Sequence, residues 1–210
     1  MEPQPRRRGR PRAFDADTAL ERATRLFWIR GFSATSVAEL GAELGLSPPS
    51  MYAAWQSKEA LFCQCLNRYS ETEGARPLDA LRAARSLTSG LSEFFKRLLK
   101  EYATDTEPRG CFLVAAMAEA SALPVEARKI IDRLRVQREA ELEQVARAAK
   151  GRGELAAGVD PKLYAALIAS FGIALNIKAR AGVPRRELAR EAKLLHAILL
   201  AVAGGAILRA

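Results

Sequence analysis

The sequence contains few of the side chains that build disulfide frameworks and metal sites. Among its 210 residues there are three cysteines, Cys63, Cys65 and Cys111, and a single histidine, His196. The cysteines form no obvious disulfide framework and match no four-ligand zinc spacing. Cys63 and Cys65, two positions apart on a predicted helix, lie on different faces and are expected to act as small hydrophobic residues. The sequence therefore predicts free thiols, no metal site and a reducing, cytoplasmic environment.

Long hydrophobic runs are also missing. The longest apolar run, residues 194–208, contains His196 and the pair Gly204–Gly205, and it is shorter than the ~20 residues that cross a bilayer. The basic amino terminus is not followed by the apolar stretch of a secretory signal. We therefore expect no membrane-spanning segment.

The sequence shows no nucleophile, base and orienting group at a workable spacing, and no glycine-rich phosphate loop that follows a strand. Neither an enzyme nor a bound cofactor is therefore expected. Positive charge, in contrast, is in excess: 33 lysines and arginines against 24 aspartates and glutamates give a formal net charge of +9. Such an excess favours polyanionic partners, either nucleic acid or an anionic membrane surface.

Apolar residues recur three and four positions apart along most of the chain, whereas the alternation typical of strands is missing. This periodicity predicts an all-α protein with about nine helices. We place them at residues 15–30, 37–44, 48–55, 57–69, 79–102, 111–122, 124–151, 161–180 and 184–203. The helix at residues 79–102 is expected to be weakest at Ser89–Gly90.

The stretch GLSPPSMYAAW, residues 45–55, is typical of the second half of a helix-turn-helix. Ser36 and Glu39 have the spacing of a capping box at the start of the short helix that precedes it. Ser47 and Pro48 then start another short helix, because serine caps a helix and proline fits its first position. In a helix-turn-helix, this second helix enters the major groove of DNA.

These features resemble the TetR family of bacterial transcriptional repressors. The resemblance covers residues 14–69 and rests on Leu26–Phe27, Gly31–Phe32, Thr35–Ser36, Gly45, Ser47, Tyr52, and Ser57–Lys58–Glu59 followed by Leu61. The stretch RGCFLVAAMAE, residues 109–119, is similar to a recurrent feature of one subgroup. The resemblance implies a cytoplasmic, nucleoid-associated homodimer that binds palindromic double-stranded operator DNA. It also implies release by a small-molecule or oxidant inducer whose identity the sequence does not give.

The resemblance further implies three parts of the chain. Residues 1–13 would form a basic arm, residues 14–60 a helix-turn-helix DNA-binding domain, and residues 61–210 a helical ligand-binding and dimerisation domain. The last two predicted helices are apolar over much of their girth, which favours a dimer interface there. The residues expected in this interface are Leu167, Phe171, Leu188, Leu195 and Leu199.

Family position implies which side chains face the DNA: Thr35, Ser47, Pro48, Pro49, Ser50, Tyr52, Ala53 and Lys58. Hydroxyls and free N–H groups at helix starts, as expected near Thr35 and Ser47, suit phosphate oxygens. Tyr52 adds a rigid donor and Lys58 a point charge, although a core tyrosine and a solvated lysine are the alternatives. The family often has Lys-Gly or Arg-Gly where this chain has two prolines, so one phosphate-directed cation is missing.

The stretch RRRGRPRAF, residues 6–14, is expected to be disordered without DNA, because five arginines broken by a glycine and a proline cannot form a stable helix. Its Arg-Gly-Arg-Pro core is similar to the AT-hook, which lays arginines along the narrow minor groove of A·T-rich DNA. Arg8 and Arg10 are therefore predicted to enter the minor groove. The alternative is a basic tail that only keeps the protein soluble.

Cys111 has two interpretations. It is either a small buried hydrophobic residue or a redox or electrophile sensor, since a helix start next to Arg109 favours a reactive thiolate. Some TetR-family members sense oxidants or electrophiles through cysteine. The function also has an alternative, an architectural DNA-binding protein without ligand control. A small compound that releases DNA would separate an inducible repressor from such a protein.

Overall fold

The computed structural model describes residues 15–102 and 110–205, and all regular elements in those two ranges are helical. They are α1 (Ala16–Arg30), α2 (Val37–Leu44), α3 (Pro48–Trp55), α4 (Lys58–Glu71), α5 (Arg76–Ala83), α6 (Leu87–Tyr102), α7 (Phe112–Ala118), a 3₁₀ turn (Ala120–Ala122), α8 (Val125–Gly151), α9 (Pro161–Arg180) and α10 (Arg185–Ala203). The predicted all-α fold class is confirmed. The predicted basic arm, with Arg8 and Arg10, lies outside the described residues, as does Arg109.

The single helix predicted at residues 79–102 forms two helices, α5 and α6, so the described ranges contain ten α-helices where about nine were predicted. α6 has a start of its own: the Ser86 hydroxyl caps it by accepting the Ser89 N–H at 3.2 Å, and the Leu87 N–H donates to the carboxylate of Glu154, which lies 67 positions later. Gly90, the expected weak point, lies inside α6 where α5 packs against it. A Cβ at Gly90 would lie 2.9 Å from Cδ1 of Leu81, so the glycine allows close packing of the two helices.

Short polar side chains cap the helices of the amino-terminal region. In the predicted capping box of α2, the Ser36 hydroxyl accepts the Glu39 N–H at 3.2 Å, and the Glu39 carboxylate accepts the Ser36 N–H at 2.8 Å. Ser47 and Ser57 cap α3 and α4, each accepting the N–H three residues later, at 3.4 and 3.1 Å. Such caps stabilise a helix by about 1 kcal/mol each. All three predicted caps are confirmed.

An aromatic cluster joins α1 and the loop after it to α4 and α7. Its members are Phe27, Trp28, Phe32, Phe62, Tyr69 and Phe112. Ring centroids of neighbouring members are 4.8 to 6.4 Å apart, and several pairs meet edge to face, which suits the quadrupoles of the rings. The reading head, α1 to α3, therefore shares one continuous core with α4 and α7.

The carboxy-terminal part of the fold is built on α8, α9 and α10. α9 packs between α8 and α10, and the Tyr164 hydroxyl donates to the Leu199 carbonyl at 3.0 Å. By length and composition alone, α9 is long and apolar enough to cross a membrane. Polar residues interrupt its apolar sequence, so no long apolar run in the sequence marks it. Seven of its 20 residues are buried against neighbouring helices, so one face of α9 belongs to the core of this fold.

Candidate nucleic-acid interface and interior cavity

α3 turns one face to the core and the other to solvent. Met51 and Trp55, four residues apart, are 3% and 6% exposed and anchor the helix. The solvent face consists of Ser47, Pro48, Pro49, Ser50, Tyr52, Ala53 and Ala54, which we call the reading surface. Tyr52 is 49% exposed, so its alternative interpretation as a core aromatic residue is wrong.

The start of α3 has no spare backbone donor in its first turn. Pro48 and Pro49 carry no N–H group, and the Ser50 N–H is used by the Ser47 cap. The two serine hydroxyls also bond to each other at 2.9 Å. The prediction of free N–H groups beside Ser47 is therefore wrong. This helix end can meet a phosphate only through its hydroxyls and the helix dipole.

Thr35 is fully buried, which contradicts its predicted contact with DNA. Its hydroxyl donates to the Gly31 carbonyl at 2.7 Å and closes the loop between α1 and α2. The exposed hydroxyl at the start of α2 belongs to Ser36, one residue later. The sequence placed two hydroxyl residues side by side, and only the packing of the loop decides which of them faces solvent.

Lys58 begins α4 and is partly exposed. Its ammonium nitrogen lies 4.2 Å from the centroid of the Phe32 ring. A cation above an aromatic face is attracted by the quadrupole of the ring, and the contact occupies no conventional hydrogen-bond acceptor. Lys58 is therefore held against the loop between α1 and α2, while its charge remains accessible from solvent. Its contact with a phosphate stays a prediction.

A cavity of about 140 Å³ lies among the helices from α4 to α9. Its wall is mainly apolar and includes Phe94, Leu98, Leu113, Val114, Met117 and Ile173. Charged residues at the edge of the cavity are paired, for example Glu73 with Arg68 at 3.3 Å and Glu101 with Arg76 at 3.1 Å. Arg138 differs, because it forms no ion pair among the described residues and donates to a backbone carbonyl at 2.8 Å.

Cys111 lines this cavity as the N-cap of α7 and is 5% exposed. The Tyr69 hydroxyl donates to its sulfur at 3.4 Å, and the Tyr102 hydroxyl also reaches that sulfur. Burial, followed by the nearby thiol, raises the pKa of both phenols well above the ordinary value, so both remain protonated donors at neutral pH. The charge of Arg138 acts on both phenols as well. These four residues form the polar end of the cavity.

Sequence reasoning did not find the polar end as a group. Tyr69, Tyr102, Cys111 and Arg138 are spread over four helices or their caps, and no spacing in the sequence links them. Arg138 belongs to a heavily charged helix in which the order of residues does not show which arginine faces the cavity. Within the residues that the structure describes, no group of three or more His, Cys, Asp or Glu side chains is placed to hold a metal ion.

The predicted dimer contacts divide into core and surface residues. Leu188 and Leu199 are fully buried within the chain, because α10 packs against α6 and α9, so their assignment to a dimer interface is wrong. Leu167, Phe171 and Leu195 are partly exposed. The most exposed apolar residues of α9 and α10 are Leu163 (72%), Ile177 (60%) and Leu194 (62%). We call the apolar face the set Leu163, Leu167, Phe171, Ile177, Leu194 and Leu195.

Both parts of this architecture, the reading head and the helices that follow it, match known protein families. Residues 19–65 match the model for bacterial regulatory proteins of the tetR family, and residues 88–197 match the tetracyclin repressor-like C-terminal domain. The HTH-type transcriptional repressor ComR of Escherichia coli (strain K12) is 30% identical over 182 residues, which cover 86% of this chain and 87% of ComR. The chain belongs to the TetR family of bacterial transcriptional regulators.

Other TetR-family proteins extend the match. The HTH-type transcriptional repressor BdcR of Escherichia coli (strain K12) is 41% identical over 106 residues, 50% of this chain and 54% of BdcR. A structure of the TetR family transcriptional regulator CifR, a cysteine mutant complexed with 26-bp double-strand operator DNA, has a TM-score of 0.78 at 34% identity. The match covers 90% of this chain and 98% of the CifR chain. The resemblance inferred from the sequence is confirmed, and this TetR-family protein is a DNA-binding transcriptional regulator.

Proposed function

We propose that this TetR-family regulator is a repressor that binds a palindromic operator as a homodimer and leaves it when a small molecule occupies the cavity. One observation carries the proposal: the aromatic cluster joins the core of the reading head to α4 and α7, and two residues of the polar end of the cavity, Tyr69 and Cys111, belong to these two helices or their caps. Relatives that are transcriptional repressors support the DNA-binding half. The protein would act in the cytoplasm, at the nucleoid, without a membrane.

On DNA, α3 would lie in the major groove with the reading surface against the base edges. Ser50, Ala53 and Ala54 are short and carry only one hydroxyl among them. They suit thymine methyl groups and single hydroxyl contacts, rather than the bidentate contacts by which arginine reads guanine or asparagine reads adenine. Pro48 and Pro49 would add apolar contact at the same edge.

Phosphate contacts would surround this surface. Ser36, in place of the buried Thr35, stands at the start of α2 with the backbone N–H groups that have no partner inside the helix. Ser47 and Tyr52 offer hydroxyls, and Lys58 offers its charge. Arg8 and Arg10 of the arm would enter the flanking minor groove and replace the cation that is missing beside Ser47.

The apolar face would pair with the same face of a second copy. On α9, Leu163, Leu167 and Ile177 recur at helical spacing on one face, and Leu194 adds an exposed leucine on α10, which packs against α9. Large apolar side chains exposed in a continuous stripe are uncommon on monomers and typical of protein interfaces. A two-fold dimer would place its two reading heads in successive major grooves, about 34 Å apart, which accounts for a palindromic operator.

The cavity suggests the chemistry of the inducer. Its volume of about 140 Å³ is close to the ~150 Å³ of an engineered apolar cavity that binds benzene. The apolar wall favours a hydrocarbon body, and the polar end offers donors from Tyr69, Tyr102 and Arg138 to one oxygen atom or carboxylate. The inducer would therefore be a small, mainly apolar molecule with one oxygen-bearing group.

Cys111 would allow an electrophile to act as inducer as well. With iodoacetamide as the probe, its sulfur forms a bond to the methylene carbon, the carbon–iodine bond breaks, iodide leaves, and the thiol proton passes to solvent. Cys65 would not compete, because burial raises its pKa to about 12, and burial also raises the pKa of Cys63. Cys111→Ser should keep operator binding and lose the release by iodoacetamide. Equal release from both proteins would show that Cys111 has no such role.

Selection of bound sequences from a random DNA pool tests the proposed function. We expect enrichment of an inverted repeat with half-sites about one helical turn apart. A screen of small oxygen-bearing apolar compounds against that operator should then yield at least one that releases the protein. The alternative, an architectural DNA-binding protein, would bind DNA without a repeated half-site. Compounds that raise its thermal stability would not release it from DNA. That pair of results would overturn the proposal.

A further inference from the structure

The short helix α7 connects the cavity to the loop between α1 and α2. Its seven residues form a rod of about 10 Å at ~1.5 Å rise per residue. Cys111 stands at its amino-terminal end and Glu119 at its carboxy-terminal end. On its side, Leu113, Val114 and Met117 form part of the cavity wall. One rigid element therefore touches the ligand site along its length and the reading head at both ends.

At the cavity end, side chains of α1 and α9 form hydrogen bonds with the backbone at the start of α7. The indole N–H of Trp28 donates to the Gly110 carbonyl at 3.1 Å, and the Cys111 N–H donates to the side-chain oxygen of Asn176. Gly110 has a positive φ of 62°, and a Cβ there would lie 2.1 Å from the Asn176 oxygen. Arg180 of α9 donates to the Trp28 carbonyl at 3.1 Å. A displacement of Cys111 must therefore move or strain these contacts.

At the other end, Glu119 holds the loop that follows α1. Its Oε2 accepts the Ser33 N–H at 3.1 Å. Gly31, which has a positive φ of 84°, leaves the space that the carboxylate fills, since a Cβ there would lie 1.9 Å from Oε1 of Glu119. A hydrogen bond to an ionised carboxylate is stronger than one between neutral groups. We call this contact, Glu119 with Ser33 and Gly31, the loop clasp.

The loop clasp lies immediately before the DNA-reading helices in the chain. The loop it holds is also closed by the Thr35 hydroxyl on the Gly31 carbonyl, at 2.7 Å. Ser36, the N-cap of α2, follows at once, and α2 leads into α3 through a short turn. Because the loop is tied at both of these points, a shift of Glu119 is passed to α2 and α3 instead of being absorbed by slack backbone.

We propose that Glu119 is a positioning residue that couples the cavity to the reading surface. With the cavity empty, α7 holds the loop through the clasp and keeps α3 in the orientation that binds DNA. An occupant of the cavity pushes on Leu113, Val114 and Met117, displaces α7, and carries the loop with it. This inference rests on the proposed function and adds to it the residue through which release occurs.

The coupling between the cavity and the DNA-binding surface is reciprocal, so it can be tested from the DNA side without an identified inducer. If the cavity influences DNA binding through α7, DNA binding must influence α7 equally in free energy. Amide hydrogen exchange of residues 110–119 should therefore slow when the full-length protein is saturated with its selected operator, by about threefold or more. In Glu119→Ala this slowing should disappear, although the variant remains folded by circular dichroism and saturated with operator.

Two variants serve as matched controls. Glu119→Gln keeps a side-chain oxygen that accepts the Ser33 N–H, so operator-dependent slowing should be largely restored. Ser33→Ala removes an exposed hydroxyl but keeps the backbone N–H of the clasp, so it should behave as the parent protein. Slowing that persists in Glu119→Ala, or is missing from the parent protein bound to operator, would overturn the role of Glu119. A parent protein that selects no operator would instead contradict the proposed function.

Discussion

The reading surface and the apolar face are both exposed, yet they are built from opposite kinds of side chain. The reading surface offers hydroxyls, prolines, alanines and the 49%-exposed Tyr52. The apolar face offers Leu163 and Leu194, which are 72% and 62% exposed. Leaving apolar area in water costs about 25 cal/mol per Å², whereas hydroxyls are well solvated. The difference indicates two kinds of partner: a grooved polyanion for the first surface and a second copy of the chain for the other.

The two regions also differ in what holds them in place. The reading head has three helices, two of them only eight residues long, each with a side-chain cap, and two anchors, Met51 and Trp55, that set the orientation of α3. α9 and α10 are long, and the core residues Leu188 and Leu199 hold them from within. A change on the apolar face should therefore leave the protomer folded, which allows the two surfaces to be tested separately.

The largest expected effect comes from charging the apolar face. Ile177→Glu combined with Leu194→Glu should give monomers that bind the operator about 100-fold more weakly. In the dimer, binding of one half-site holds the second reading head close to the other half-site, and a monomer lacks this high effective concentration. Val136→Glu, at a 54%-exposed apolar position of α8, is the matched control and should leave assembly unchanged. Analytical ultracentrifugation and operator titration measure both properties. A double variant that still sediments as a dimer would place the interface elsewhere.

The next largest effect concerns the arm. Deletion of residues 1–12 should weaken operator binding by more than roughly tenfold at moderate salt and flatten the salt dependence, since several arginine–phosphate contacts are lost. The loss should be greatest on operators with A·T-rich flanks, whose narrow minor grooves attract arginine. Titration against operators that differ only in their flanks checks this. An equal loss of affinity for both operators would show that the arm acts only through its charge. Unchanged affinity would show that the arm does not contribute to DNA binding.

Single phosphate contacts should have smaller effects. Lys58→Ala should weaken binding several-fold and lower the salt slope by about one unit, and Tyr52→Phe should weaken binding without changing the slope. Neither should alter the preferred sequence. Lys58→Met separates charge from packing, because it keeps an apolar chain against Phe32. Lys129→Ala, at an exposed lysine of α8, is the control. Parental affinity and salt slope in Lys58→Ala would show that this lysine contacts no phosphate.

The smallest effect on DNA binding is expected at Thr35. Thr35→Val removes the buried hydroxyl that bonds to Gly31, so it should destabilise the fold by about 1–3 kcal/mol. Denaturant unfolding measures that loss. The affinity of the folded variant for the operator should change by less than about threefold, as expected for a residue behind the reading surface. A lowered salt slope in the variant would mean instead that Thr35 touches a phosphate.

The comparison also shows which parts of the fold the sequence could predict. The caps Ser36, Ser47 and Ser57 depend on residues three positions apart, so local spacing located the reading head correctly. The break between α5 and α6 was missed although Ser86 caps α6 with the same local spacing, and the second contact at this helix start, from Glu154, is remote in sequence.

The candidate site likewise contains residues whose positions could be predicted from the sequence and residues whose positions could not. The DNA-facing side chains of α3 were predicted from their positions in the family motif, and the structure places them on the solvent face opposite Met51 and Trp55. The burial of Thr35, Leu188 and Leu199 was missed, since a hydroxyl before a cap or a leucine on an apolar helix can face either way until the packing partners are known. The loop clasp of Glu119 joins residues 86 positions apart and has no sequence signal.

The measurement that tests the account most directly is operator titration against half-site spacing. Three duplexes would be compared: the selected operator, the same operator with about five base pairs inserted between its half-sites, and a single half-site. If two reading heads are joined through the apolar face, the selected operator should bind one dimer. The other two duplexes should then bind the protein about 100-fold more weakly. Equal affinity for all three duplexes would contradict a dimeric repressor whose reading heads act together.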